Sequence, residues 1–211
     1  MTPVAVLGDR ALRLGFEAAA RPADAIAACC AACARLPGVE DWIPSRTTLT
    51  VAYDPRLIDL DALVAALAAA ESESVAERRD PRRHVIPVAY GGADGPDLAF
   101  VARHAGLTEA QVIERHSAPV YTVAMIGFTP GFPYLDGLDP WLATPRLATP
   151  RLAVPAGSVG IGGDQTGIYP SSTPGGWRLI GRTAMTLFDP DSENLSVLQA
   201  GDQVRFVPVP S

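Results

Sequence analysis

The sequence predicts an α+β domain over residues 1–78, followed by a mostly β domain, a barrel or sandwich, over residues 79–211. Three observations carry this prediction. In the first stretch the apolar pattern switches between a period of two and a period near 3.6, as when strands alternate with helices. A charged, proline-bearing segment from Glu71 to Arg83 then separates the halves like an interdomain linker. From Gly127 to Gly181 proline and glycine dominate, which disfavours helices longer than two turns and leaves short strands with long, ordered loops.

Element by element, Ala11–Phe16 alternates and predicts a strand. Pro22 opens a helix that runs to about Arg35 and is closed by Pro37-Gly38. Val39–Ile43 and Thr47–Tyr53 flank Pro44-Ser45-Arg46 as a hairpin, and Asp54-Pro55 turns the chain. Leu60, Leu63, Val64 and Leu67 then recur at helical spacing. This β-α-β-β-α order approaches a ferredoxin-like split unit. In the linker, Glu77-Arg78-Arg79-Asp80-Pro81-Arg82-Arg83 mixes signs and reads as a solvated connector, with a phosphate patch as the alternative. Beyond it, Val85–Tyr90 is a strand ended by Gly91-Gly92, and Asp97–His104 suits a helix. Thr108 and Gln111 form a capping box that starts a helix to about His116. Val120–Ile126, Met185–Phe188 and Gln203–Val209 complete the predicted strands. Thr144-Pro145-Arg146-Leu147 is echoed by Thr149-Pro150-Arg151-Leu152, a repeat too short for a solenoid.

Composition narrows the chemistry. The 211 residues are 48% apolar, enough to bury a core, and carry a net charge of −6, which opposes sequence-independent nucleic-acid binding. All 17 basic residues are arginine. A Schiff-base lysine, a P-loop lysine and a lysine general base are therefore absent. Anions must be met by arginine, backbone N–H groups, hydroxyls or a metal. Met1–Arg10 lacks a basic export region, and the apolar run Ala62–Ala70 is too short to span a bilayer, so a cytoplasmic protein away from membranes is expected. Cys29, Cys30 and Cys33 are no disulfide framework; Cys30-x-x-Cys33 has the spacing of a redox or zinc half-site but lacks a second pair. They read as small, buried helix residues, and no metal site is predicted.

Rigid loops with many aromatics carry the functional signal. Proline fixes φ, glycine admits close backbone approach, and the N–H groups of such loops can cradle an anion. The run Gly157–Gly163 lacks the Gly-Lys-Ser/Thr ending of a P-loop. The strings His116-Ser117-Ala118-Pro119-x-Tyr121-Thr122-Val123, Gly127-Phe128-x-Pro130-Gly131-Phe132-x-Tyr134-Leu135, Pro145-Arg146, Pro155-Ala156-Gly157-Ser158-Val159-Gly160-Ile161, Gln165-Thr166-Gly167-Ile168-Tyr169-Pro170 and Pro174-Gly175-Gly176-Trp177 occur in order. Together they resemble the family of the bacterial 5-oxoprolinase B subunit (PxpB), also called the KipI or allophanate-hydrolase-subunit-1 family. The resemblance is dense from Glu114 to Thr183 and looser elsewhere; the N-terminal domain, Asp164 and Ser171-Ser172 match least.

The resemblance implies an α+β domain followed by a cyclophilin-like β-barrel. It also implies a heteromeric enzyme. In it this chain, a related cyclophilin-like C subunit and an A subunit hydrolyse 5-oxo-L-proline to L-glutamate with ATP as co-substrate. Magnesium would arrive with the ATP. Phosphorylating the amide oxygen would turn it into a leaving group, a step that needs stabilisation of growing negative charge. The catalytic candidates are His116, as general acid or base, and Arg178, as an anion clamp. Candidates for substrate or nucleotide binding are Phe128, Pro130, Gly131, Tyr134, Gly157, Ser158, Gly160, Gln165, Thr166, Tyr169, Trp177 and Arg182. Each has a plainer reading. His116 suits a core hydrogen bond, Arg178 and still more Arg182 a surface ion pair, Gln165, Thr166 and Tyr169 turn chemistry, and Arg146 and Arg151 a loop brace. Phe128, Phe132, Tyr134 and Trp177 suit an interface with the C subunit as well as a pocket. Two other functions share the pattern: a KipI-type inhibitor of a sensor histidine kinase, and a carboxyltransferase-like component of urea or allophanate metabolism. The latter needs a biotin carboxylase and a biotin carrier from other chains.

Overall fold

Alternating burial builds the first sheet. A computed structural model describes residues 3–17, 19, 22–73, 80–192 and 194–210. The chain divides into two compact units, Met1–Asp80 and Pro81–Ser211. In the first, strands β1 (Val4–Val6), β2 (Ala11–Gly15), β3 (Val39–Pro44) and β4 (Thr48–Tyr53) form an antiparallel sheet in the order β1-β2-β4-β3, with helices α1 (Pro22–Cys33) and α2 (Leu60–Glu73). Leu12 and Leu14 of β2 and Leu49, Val51 and Tyr53 of β4 point inward at period two, into one core with Ile26, Cys29, Cys33, Leu63 and Leu67. The edge strand β1 departs from the predicted β-α-β-β-α order. All three of its residues are exposed, so it has no buried face for periodicity to register. The cysteines pack: burial pushes the Cys29 thiol up to about 12 and the Cys33 thiol up to about 11, and Cys29 Sγ donates to the Leu67 carbonyl at 3.5 Å. Of the charged run between the halves, Glu77, Arg78 and Arg79 lie outside the described residues.

The second unit is a closed barrel. Its strands are β5 (Arg83–Tyr90), β6 (Tyr121–Ile126), β7 (Pro133–Asp136), β9 (Ser158–Gly162), β10 (Gln165–Ile168), β12 (Arg178–Arg182) and β13 (Gln203–Val209), paired in the order β10-β7-β6-β13-β5-β12-β9 with β9 closing onto β10. The β5–β13 pair is parallel, from Arg83 opposite Gln203 to Ala89 opposite Val209; the other barrel pairs are antiparallel. A separate ribbon joins β8 (Arg151–Val154) to β11 (Thr173–Gly175). Helices α3 (Leu98–Ala105) and α4 (Glu109–Ser117) pack together, α3 reaching β12 and α4 reaching β13. The core gathers Ile86, Val88, Tyr121, Leu135, Ile161, Ile180 and Phe206.

Two readings are corrected here. Two of the glycine-rich strings, Ser158–Gly162 and Gln165–Ile168, are barrel wall rather than surface loop: every residue of β9 and β10 is buried. Glycine serves close packing there. A Cβ on Gly167 would lie 2.6 Å from the Pro133 carbonyl and 3.0 Å from the Trp177 ring. Second, Met185–Phe188 is no strand; it makes a single bridge, Phe188 to Ser196, inside an irregular return.

Candidate functional site

The residues singled out from the sequence fall in three places within the barrel unit. The first is the barrel interior. His116 ends α4 fully buried, its ring stacked 4.6 Å from that of Phe206. Nδ1 lies 2.8 Å from the Tyr90 hydroxyl and Nε2 lies 2.9 Å from Thr166 Oγ1. Thr166 donates its one proton to the Gly160 carbonyl at 3.0 Å. The chain is satisfied throughout when Tyr90 donates to Nδ1 and Nε2–H donates to Thr166. That describes a neutral imidazole, and burial drives its pKa down to about 3. The Tyr121 hydroxyl donates to the His116 carbonyl at 2.7 Å, so the backbone is held as well. Gly160, Thr166 and Ser158 belong to this interior, all buried.

The second place is a cleft of about 720 Å³ at one end of the barrel, where Gly157 and Arg182 meet Pro87, Met185 and Val209. Gly157 is at φ +81, a conformation that suits glycine, and a Cβ there would run into the Thr183 carbonyl. Arg182 donates through Nε to the Ala156 carbonyl at 2.9 Å, which ties it to the loop before β9. Asp94 is the other ionisable group in this cleft.

The third place is an aromatic wall, and it collects more of the candidates than either of the others. Phe132 touches four rings: Phe128 at 5.6 Å, Tyr134 at 5.0 Å, Tyr169 at 5.1 Å and Trp177 at 5.4 Å between centroids. Most of these contacts are edge-to-face, the geometry the ring quadrupoles favour. Phe132, Tyr169 and Trp177 are buried with Val154 and Leu179, and Tyr134 is half-buried against them. Phe128 is different. It is 60% exposed and holds φ +67, the only non-glycine residue at positive φ among the described residues. The Thr129 N–H donates to the Gly127 carbonyl at 2.8 Å across Phe128, and the Gly127 N–H donates to the Phe132 carbonyl at 3.1 Å. This tight turn forces an uncommon backbone state on a bulky residue, at a cost of order 1 kcal/mol or more. Pro130 and Gly131 complete the turn, Gly131 at φ +78 beneath Phe188. Thr129 Oγ1, in the same turn, is buried without a partner among the described residues.

Arginines frame the wall. Arg178 is fully engaged: its guanidinium lies 3.6 Å over the Phe100 ring, Nε donates to the Pro145 carbonyl at 3.2 Å, and Nη1 is 3.9 Å from Asp97. Arg151 donates to Asp97 at 2.8 Å and to the Trp177 carbonyl at 3.3 Å. Asp97 does not cap α3. Its carboxylate accepts from Arg151 and, at 2.7 Å, from the Leu179 N–H. Arg146 stands 5.7 Å over the Trp177 ring. Burial raises the phenol pKa of Tyr134 and Tyr169, and the Arg146 charge opposes that rise at both. Gln165 lies apart from the wall, donating to Asp136 at 3.2 Å. Among the described residues no three His, Cys, Asp or Glu side chains group to hold a metal ion. Asp97, and Arg146 in place of a plain loop brace, join the wall from outside the set of residues that the sequence singles out for binding. Asp97 resembled an ordinary helix start, and Arg146 differed from Arg178 only in what each touches.

Similarity to known proteins is extensive. The family profile described as carboxyltransferase domain, subdomain C and D, matches residues 2–198. A protein of Escherichia coli O157:H7 named as the B subunit of 5-oxoprolinase is 53% identical over 174 residues, 82% of this chain and 79% of the relative. One of the same name from Bacillus subtilis strain 168 is 42% identical over 182 residues, 81% of this chain and 76% of the relative. The crystal structure of TTHA0988 superposes with a TM-score of 0.80 at 37% identity; it covers 96% of this chain, which spans 40% of that longer chain. The K. lactis urea amidolyase, at 22% identity and a TM-score of 0.74, covers 99% of this chain, which spans 15% of it, and shares the fold.

Proposed function

We propose, for a chain that belongs to the 5-oxoprolinase B-subunit family and carries its carboxyltransferase domain, subdomain C and D, that it works as the B subunit of a heteromeric, ATP-dependent 5-oxoprolinase. The observation that carries this reading is the 53% identity to a protein of that name over 82% of the chain. The net reaction takes 5-oxo-L-proline, ATP and two waters to L-glutamate, ADP and phosphate. A five-membered lactam resists opening, so coupling to ATP supplies the drive: phosphorylating the amide oxygen activates the carbonyl carbon, one water adds there, the C–N bond breaks to free the amine and leave an acyl phosphate, and the second water releases phosphate and glutamate. The A and C subunits would be the partners. With no lysine and no P-loop, this chain can meet a nucleotide's phosphates through arginine, hydroxyl and backbone donors. The cyclophilin-like character of the barrel and the ferredoxin-like character of the first unit belong to the same proposal.

The geometry supports a substrate wall at Phe128, Phe132, Tyr134, Tyr169 and Trp177, braced by Arg178 and Arg151. In this reading His116 holds the barrel instead of moving protons, because its ring is enclosed and both nitrogens are occupied. The test is reconstitution. Glutamate release that requires ATP, 5-oxo-L-proline, this chain and its A and C partners together is the expected result. A folded, co-purifying mixture that releases none overturns the reading.

A further inference from the structure

Four arginines surround the aromatic wall and the cleft, and three are engaged. Arg151 binds Asp97 and the Trp177 carbonyl, Arg178 binds the Pro145 carbonyl and the Phe100 face, and Arg182 binds the Ala156 carbonyl. Arg146 is exposed and has no hydrogen bond or ion pair among the described residues; its guanidinium lies over the face of Trp177, and its charge reaches Tyr134 and Tyr169. The backbone around it is nonetheless pinned. Thr144 and Gly163 exchange N–H···O bonds at 3.0 and 2.8 Å, the Leu147 N–H donates to the Gly176 carbonyl at 2.7 Å, and Arg178 holds the Pro145 carbonyl. A fork of five donors is thus fixed at its root, laid on an indole and otherwise without a hydrogen-bond partner, with the phenols of Tyr134 and Tyr169 within reach of its charge.

We propose that Arg146 is the carboxylate anchor of this wall, taking a small, flat, singly charged ring compound with its ring against the exposed Phe128 and half-buried Tyr134, which flank Phe132, and its carboxylate in the guanidinium fork. Arg178 is then a positioning residue, since it holds the peptide carbonyl next to Arg146. The proposal rests on the substrate reading above for the identity of the compound and on the geometry alone for its chemical class. A guanidinium on an indole face binds carboxylate in two-pronged fashion, and lysine in its place keeps the charge but loses the fork.

The test uses the full chain with Trp42 and Trp141 changed to Phe, so that Trp177 is the remaining indole fluorophore. It is titrated with 5-oxo-L-proline, uncharged 2-pyrrolidinone, benzoate and inorganic phosphate. Saturable change with 5-oxo-L-proline is expected, at least tenfold weaker with 2-pyrrolidinone. Arg146→Gln should weaken the carboxylate at least tenfold without altering the neutral lactam, and Arg146→Lys should fall between. In the assembled complex Arg146→Gln should raise KM at least tenfold with kcat retained, whereas a merely structural role would lower kcat and stability together. If benzoate binds through Arg146 and 5-oxo-L-proline does not, the anchor stands and the substrate reading falls. If the complex turns over with KM unchanged in Arg146→Gln, the anchor falls and the substrate reading stands. Equal binding of neutral and charged lactam, phosphate outcompeting carboxylate, or no saturable change in either chain or complex overturns the anchor.

Discussion

His116 shows how a residue of catalytic type can be committed to packing. Its depressed pKa is a desolvation effect, and it has a sign. The folded value, about 3, lies below the ordinary 6.5, so the neutral ring favours the fold. That contribution is complete above pH 6.5 and is lost as pH falls toward 3, with a slope of up to about 1.4 kcal/mol per pH unit. Urea unfolding followed between pH 7 and pH 4 should show this slope in the parent chain, and His116→Gln should flatten it. The same substitution should cost about 2–4 kcal/mol at pH 7, because Tyr90 and Thr166 lose a buried partner. An unaltered pH dependence in the variant would return His116 to the catalytic candidates. Phe128 sits at the opposite extreme, exposed and at positive φ, and its strain marks the turn as the place where the wall opens to solvent.

Helix α4 and strand β10 deliver His116 and Thr166 to each other, and each depends on one local device. Thr108 accepts from the Gln111 N–H at 3.2 Å while the Gln111 side chain accepts from the Thr108 N–H at 2.9 Å, which closes the capping box. Thr108→Ala should therefore cost about 1 kcal/mol, read as a lower urea midpoint with an unchanged m-value. In β10 the device is Gly167. A methyl there meets the Pro133 carbonyl of β7 at 2.6 Å and the Phe132 ring at 3.1 Å, so the strand and the wall cannot both stay in place. Gly167→Ala should lower stability by about 2–3 kcal/mol and change the near-ultraviolet circular dichroism of the aromatic cluster. Retention of both would show that the β7–β10 seam yields more than its packing implies.

For the whole molecule, charge and topology set behaviour at different levels. With a net charge of −6 at pH 7 and an isoelectric point near 5.0, solubility should pass through its minimum at about pH 5, measured as precipitation across a pH series. No helix among the described residues is long and apolar enough to cross a membrane. Much of the architecture was written locally. The capped start of α4, the alternation of β2 and β4 and the helical spacing of α2 follow from side-chain period and capping chemistry, which are properties of neighbours in sequence. The family, too, was legible, because several long strings of glycine, proline and aromatics occur in one order along the chain. What sequence alone left undecided was every distinction that depends on distant partners. Strand β1 has no buried face to reveal it, and the glycine strings look like loops until Trp177 and Phe132 press against them. Four arginines alike in sequence become three braces and one unengaged fork only when Asp97, Phe100, Pro145 and Ala156 arrive from elsewhere in the chain. Periodicity and capping are short-range and can be read along the chain; which polar groups are satisfied is a property of the closed barrel, and the tertiary structure decides it.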